Sequence, residues 1–241
     1  GAGDDTIKLG STAGEGIATA ATDKITIDGG EGDDTIKLID GTDLGKVALT
    51  TGSISISNVE NIDMAGGVEI GAGIVNGSAY EVSATTGSSD VMTVIADDTA
   101  FTLDLSSMTF ASSVEKTVFD ASAQTSGMTI TGSNTVDEIT LTGLKDTVST
   151  GAGNDKVTMD GTGKASTVDL GAGNDTFVQQ GSTTATDTIS VTGGAGVDTF
   201  DFSTTDGFAT GDLSKVNITD FTGGAGGDVL KIAVADAAGY L

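Results

Sequence analysis

The sequence predicts an all-β chain wound as a parallel β-roll, a solenoid of short strands joined by glycine-rich turns. Two observations carry this. One turn word, G-G-x-G-x-D with a large apolar residue two places after the Asp, occurs six times in 241 residues. Repetition of one short unit is the sequence mark of a solenoid. Between the words, short runs alternate apolar and polar residues, the period-two pattern of strands whose side chains take opposite faces. Glycine and aspartate are common in any turn, so one copy would mean little. Six copies with the same residue types in the same order do not fit six unrelated hairpins.

The copies are Gly1-Ala2-Gly3-Asp4-Asp5 with Ile7, Gly29-Gly30-Glu31-Gly32-Asp33-Asp34 with Ile36, Gly151-Ala152-Gly153-Asn154-Asp155 with Val157, Gly171-Ala172-Gly173-Asn174-Asp175 with Phe177, Gly194-Ala195-Gly196-Val197-Asp198 with Phe200, and Gly223-Gly224-Ala225-Gly226-Gly227-Asp228 with Leu230. Alternate glycines let the backbone take positive φ without a Cβ clash. The turn gathers carbonyl oxygens and one carboxylate, hard donors of the kind Ca²⁺ takes in a flexible loop. The apolar residue then begins a short strand and faces inward.

Residues 1–39 hold two copies 29 residues apart, with an alternating strand at Asp23–Ile27 between them and another at Ile36–Leu38. The Ser, Thr, Ala and Gly of Gly10–Thr22 read as a loop inserted between strands. Residues 40–145 lack good copies, but short strands recur about every ten residues, as in an all-β protein. They include Val47–Leu49, Ile54–Ile56, Val59–Met64, Val68–Ile70, Val91–Ile95, Phe101–Leu105, Val114–Phe119, Met128–Ile130 and Ile139–Leu141. No amphipathic helix is convincing; Ser106–Ser113 or Ser122–Gly127 could hold a single turn. Gly132–Ile139 resembles a decayed word without its second and third glycines. This middle reads as the same solenoid with altered turns, the alternative being an inserted β-sandwich.

Residues 146–241 are the clearest part. Their turns are spaced by 20, 23 and 30 residues, against the 18 of two nonapeptides. Each coil is expected to contain one good turn and one loose one, the loose turns at Gly161–Lys164 and Gly181–Thr186. The good turns should then stack on one edge with calcium between them. Ile218–Phe221 changes the rhythm, and Phe221 is expected to cover the end of the core, because terminal repeats of a solenoid are atypical.

Composition narrows the function. The formal net charge is −25, with 35 acidic residues and ten basic ones, all Lys. A chain this acidic repels itself unless cations bind it, and nucleic-acid binding needs a basic patch. Cys and His are absent, which removes disulfides, thiol chemistry and the common catalytic triads and makes a zinc enzyme a poor fit. Trp is absent and aromatic residues are few, so a sugar-stacking cleft has little to use. No run approaches the roughly 20 apolar residues of a spanning helix. The chain opens in mid-repeat without Met and is expected to be part of a longer protein.

On its turn words, on Gly193–Phe202, and on the closing Ile218–Phe221 with Asp228–Ile232, the sequence resembles the RTX repeat family of bacterial secreted proteins. The Ser/Thr/Ala/Gly-rich strands, Val59-Glu60-Asn61-Ile62, Val114–Val118 and the scattered turns make it most similar to the calcium-binding region of a surface-layer protein. The resemblance implies a right-handed parallel β-roll, type I secretion, folding outside the cell and several Ca²⁺ ions between stacked turns. It implies ligands from the carbonyls of turn positions one and three and the Asp at position six, with further carbonyls and an Asp from the next turn. The metal set carried onto this chain is then Gly1, Gly3 and Asp5; Gly29, Glu31, Gly32 and Asp34; Thr150, Gly151, Ala152, Gly153 and Asp155; Leu170, Gly171, Ala172, Gly173 and Asp175; Gly193, Gly194, Ala195, Gly196 and Asp198; and Gly223, Ala225, Gly226 and Asp228. Thr150 and Leu170 depart from the family pattern by replacing the first glycine.

The function so implied is structural rather than enzymatic: a surface-layer region whose Ca²⁺ drives folding and lattice assembly. The partners expected are further copies of the protein and cell-surface polysaccharide. The alternative is the C-terminal secretion module or stalk of an RTX adhesin, protease, lipase or toxin.

Overall fold

The computed structural model describes residues 1–9, 25–39, 54–84, 90–96, 102–112, 114–121, 124–141, 144–160, 165–180, 188–203 and 216–232. The expected loop Gly10–Thr22, Asp23 and Lys24 of the first internal strand, the strand Val47–Leu49 and the loose turns Gly161–Lys164 and Gly181–Thr186 lie outside the described residues.

The chain is a parallel β-solenoid. A first sheet has the order β1 (Thr6–Leu9), β3 (Thr35–Ile39), β5 (Asn61–Ala65), β7 (Glu81–Ala84) and β10 (Thr109–Phe110). A second runs β6 (Val68–Gly71), β8 (Val91–Ile95), β11 (Lys116–Asp120), β13 (Asp137–Leu141), β15 (Lys156–Asp160), β17 (Thr176–Gln180), β19 (Thr199–Phe202) and β21 (Val229–Ile232). A third runs β9 (Thr102–Asp104), β12 (Thr129–Thr131), β14 (Thr147–Ser149), β16 (Thr167–Asp169), β18 (Ile189–Thr192) and β20 (Val216–Ile218). β2 (Ile25–Asp28) and β4 (Ile54–Ser57) form a separate pair.

The order of visits shows how the coil changes along its axis. From β13 onward the chain alternates strictly between the second and third sheets. From β7 to β12 it visits first, second and third sheet in turn, so three faces enclose the core. The first sheet ends at the two-residue β10, and among the described residues later coils add no strand to it. The described strands from residue 54 to 141 all pair in parallel, and β4, β5, β12 and β13 continue the ladders into strands of the flanking regions.

Parallel pairing in register stacks like residues into rows. In the first sheet Ile7, Ile36, Ile62, Val82 and Phe110 follow one another. In the second, Ile70, Val94, Phe119, Ile139, Val157, Phe177, Phe200 and Leu230 do so. The apolar residue of every turn word therefore enters one of two rows. Most of these side chains are buried, each contributing about 1.5–3 kcal/mol. The second row ends in the open at Leu230, and Phe221, Val229 and Ile232 beside it are also exposed. Phe221 sits with its ring centroid 6.1 Å from that of Phe200; with 41% of its surface accessible it covers the end only in part.

One turn of helix, α1 (Ala72–Val75), stands where no helix is expected. Ala-Gly-Ile-Val has no helical periodicity; the helix exists because Ala72, Ile74 and Val75 are buried. Beyond it, Asn76 and Gly77 grip Asp104 at the end of β9: the Asp104 N–H donates to Asn76 Oδ1 at 2.9 Å, and the Gly77 N–H to the Asp104 carbonyl at 2.8 Å.

Candidate metal centres

The turn words form two stacks, not one. Gly1–Asp5 and Gly29–Asp34 lead into the first sheet through β1 and β3, and the later words lead into the second sheet through β15, β17, β19 and β21. Within each stack the turns pair by backbone. Ala152, Ala172 and Ala195 form successive parallel bridges, as do Ala2 and Glu31. The Ala172 N–H donates to the Gly151 carbonyl at 2.8 Å and the Gly153 N–H to the Ala172 carbonyl at 3.0 Å; the Gly171–Ala195–Gly173 bonds repeat this one coil on. The position-three carbonyls of Glu31, Ala172 and Ala195 thus each already accept one N–H.

The glycines are required at positions two and four. Gly171 and Gly173 have φ of +85° and +149°, and a Cβ on either would lie 2.0 or 1.5 Å from a carbonyl oxygen of the preceding turn. Position one is different: Gly29 and Gly193 there have no left-handed φ. Backbone conformation therefore does not bar Thr150 and Leu170 from the same position, whereas at Gly29 a Cβ would lie 1.9 Å from the Asn58 carbonyl oxygen.

The sixth position builds a ladder. The backbone N–H of each Asp donates to the Oδ1 of the Asp one coil later: Asp137 to Asp155 at 2.9 Å, Asp155 to Asp175 at 2.7 Å, Asp175 to Asp198 at 3.0 Å and Asp198 to Asp228 at 3.0 Å. In the first stack Asp5 donates to Asp34 at 2.8 Å, and Asp34 to Glu60 Oε2 at 2.9 Å. Asp34, Asp155 and Asp175 are at most 1% exposed, yet the second carboxylate oxygen of each has no hydrogen-bond partner.

A buried carboxylate oxygen without a donor is costly, and the electrostatics register it. Burial pushes Asp175 up to about 6, with the charges of Asp155 and Asp198 adding to the rise. Asp155 and Asp198 are raised as well, chiefly by burial. A divalent cation would offset both burial and mutual repulsion. Among the described residues no three acidic side chains converge on one point, so such an ion must draw on backbone carbonyls beside one or two carboxylates. The donor set is oxygen only, which suits Ca²⁺.

The ends of the long ladder are closed by protein groups. The decayed word carries Asp137, in register with Asp155 at the 18-residue spacing of two nonapeptides. Its carboxylate receives the Ser133 N–H at 2.8 Å, the Ser133 hydroxyl and the Thr117 hydroxyl, so it lacks no donor. Burial nevertheless pushes it up to about 6. At the other end, Asp228 joins the ladder, but its Oδ2 accepts the N–H of Thr222 at 2.8 Å. Gly223, Ala225 and Gly226 are exposed and form no bridge to the turn before. Asp220 lies there instead, accepting the N–H groups of Gly193 and Gly194 at 2.9 and 2.7 Å.

Several participants carry no motif signal. Glu60 replaces an Asp in the first ladder. Asp146, on the strand side of the third sheet, is 2% exposed with Oδ2 unpartnered; its Oδ1 accepts the Met128 N–H, and burial pushes it up to about 6. The Thr150 hydroxyl donates its one hydrogen to the Leu170 carbonyl at 2.6 Å.

Fold and site together define the chain as a parallel β-solenoid with carboxylate ladders along its glycine turns. No protein-family profile, curated protein or solved structure matches it.

Proposed function

We propose that this chain is a structural calcium-binding region of a secreted bacterial surface-layer protein, of the RTX type, in which Ca²⁺ drives folding and then lattice assembly. What supports the reading is the set of buried, donorless oxygens on Asp34, Asp155 and Asp175, each in a stacked glycine turn. An ion that binds only the folded chain stabilises it by mass action. The short strands and the net charge of −25 give the metal-free chain little stability of its own. The role is one of assembly, not catalysis.

Circular dichroism tests the first half. In excess chelator the chain should be mostly coil, and β-signal should return with Ca²⁺ but less with Mg²⁺, whose octahedral demand fits such turns poorly. A β-signal unchanged by exhaustive chelation sinks the reading. For the second half, light scattering and electron microscopy of the longer parent across a calcium titration should show sheets or higher oligomers after folding is complete. A parent that stays monomeric at millimolar Ca²⁺ favours a secretion module instead.

A further inference from the structure

Among the described residues β9 pairs with a strand on one side only, that of β12. Leu105, just beyond β9, donates its N–H to the Thr131 carbonyl on that side, while the backbone of Asp104 turns to the other. There Asn76 and Gly77 take the place of a strand. The Asn76 side-chain amide accepts the Asp104 N–H at 2.9 Å, and the Gly77 N–H donates to the Asp104 carbonyl at 2.8 Å. An uncovered strand edge is a template for another chain, and these two bonds close the edge at Asp104. The same two residues are also a reactive pair. The chain has seven Asn, and Asn76 alone precedes a glycine. With no Cβ on the following residue, a backbone nitrogen can reach the side-chain amide carbon of the Asn before it. Asn76 and Gly77 are both exposed, so water has access.

We infer that Asn76–Gly77 is a site of spontaneous deamidation that the fold holds shut and unfolding opens. In the reaction the Gly77 nitrogen attacks Asn76 Cγ and a C–N bond forms. The bond from Cγ to the amide nitrogen breaks, ammonia leaves with the proton that the Gly77 nitrogen gives up, and a succinimide ring remains. Water then opens the ring at one carbonyl or the other, giving aspartate or isoaspartate; nothing is oxidised or reduced. In the fold Asp104 engages both reacting groups, the nitrogen through its carbonyl and the amide through its N–H. Ring closure must first break both bonds. The two products differ in consequence. Aspartate keeps an oxygen in place to accept the Asp104 N–H. Isoaspartate routes the main chain through Cγ, adding a methylene between α1 and Gly77, so the pair no longer matches a single residue of β9. The third sheet then starts with an open edge.

Peptide mapping by mass spectrometry, with isoaspartate read by enzymatic methylation, tests this on the chain kept in mildly alkaline buffer, folded or in urea. The two samples are defined by their β-signal, so the outcome does not depend on the calcium proposal. In urea Asn76 should react first of the seven Asn. In the folded chain it should react at least about tenfold more slowly, since two hydrogen bonds must open first. Equal rates in the two states, or a faster reaction at another Asn in urea, overturn the inference. Chain aged in urea and then refolded should form more large particles than fresh chain, in proportion to its isoaspartate. The Asn76→Gln variant keeps an amide but would have to close a larger, slower ring, and should refold after ageing as it does fresh. Ageing that harms both chains equally overturns the role given to the edge. If the Asn76→Gln variant does not fold, the rate comparison decides by itself.

Discussion

Single residues here act through the one hydrogen bond they complete or leave open. The Thr150 hydroxyl ties its coil to the next by donating to the Leu170 carbonyl. Thr150→Val keeps the shape and leaves the Leu170 carbonyl, buried between coils, without its donor. Such a loss costs about 1–3 kcal/mol, and Thr150→Ser should restore most of it. Urea midpoints at saturating Ca²⁺ would show this; equal midpoints for the Val and Ser variants would remove the role given to the hydroxyl. Asp175 and Asp5 contrast in the same way. Asp175 is 1% exposed and bonded into neighbours on both sides, accepting from Asp155 and donating to Asp198. The Asp5 side chain is half exposed. Asp175→Ala should therefore lower the melting temperature and the number of tightly bound ions more than Asp5→Ala. Equal losses would argue against a stack in this order.

At the scale of the element, strands this short hold because their inward residues form continuous rows. Phe177 stands fully buried between Val157 and Phe200 and against the ring of Phe202, 6.2 Å away between centroids. Phe177→Ala leaves a cavity with a coil on each side and should cost about 3–5 kcal/mol. The exposed Leu230 closes the same row at the last strand, so Leu230→Ala should cost much less. Denaturant titration of the two variants at one calcium concentration gives the comparison, and a similar cost for both would show that row position does not matter. The glycine turns are elements in the same sense: their carbonyl-to-amide bridges make each turn the template for the next.

At the scale of the whole molecule, protons compete for the same carboxylates as the proposed Ca²⁺. Asp137, Asp146 and Asp175 sit near pKa 6 in the fold, against about 3.9 for an unfolded Asp. A carboxyl whose folded pKa is raised favours the folded state when protonated. That contribution is complete below about pH 4 and is lost as the pH rises through about 6. The metal-free chain should therefore gain β-signal when acidified from about pH 7.5 to pH 5, and calcium affinity should fall over the same interval as protons compete. Circular dichroism in chelator against pH checks the first statement; a β-signal that declines on acidification contradicts it.

What the sequence determined by itself is the solenoid, because its cause is local. Gly at turn positions two and four, Asp at six and an apolar residue two places on each act within a few residues, and their repetition implies stacking. The same words located Asp34, Asp155 and Asp175. Tertiary structure decided the rest. The division into two turn stacks depends on which sheet each turn feeds, and that passes through the three-faced coils of residues 61–131, where no word marks the change. Glu60 carries no motif and enters the ladder only through the register of β5 on β3. Asp220 takes the amides of Gly193 and Gly194, in place of a stacked Gly223–Gly226 turn, through a contact 26 residues long. Local steric and periodic constraints are written along the chain; which oxygen lacks a donor depends on the neighbouring coil, 18 to 30 residues away.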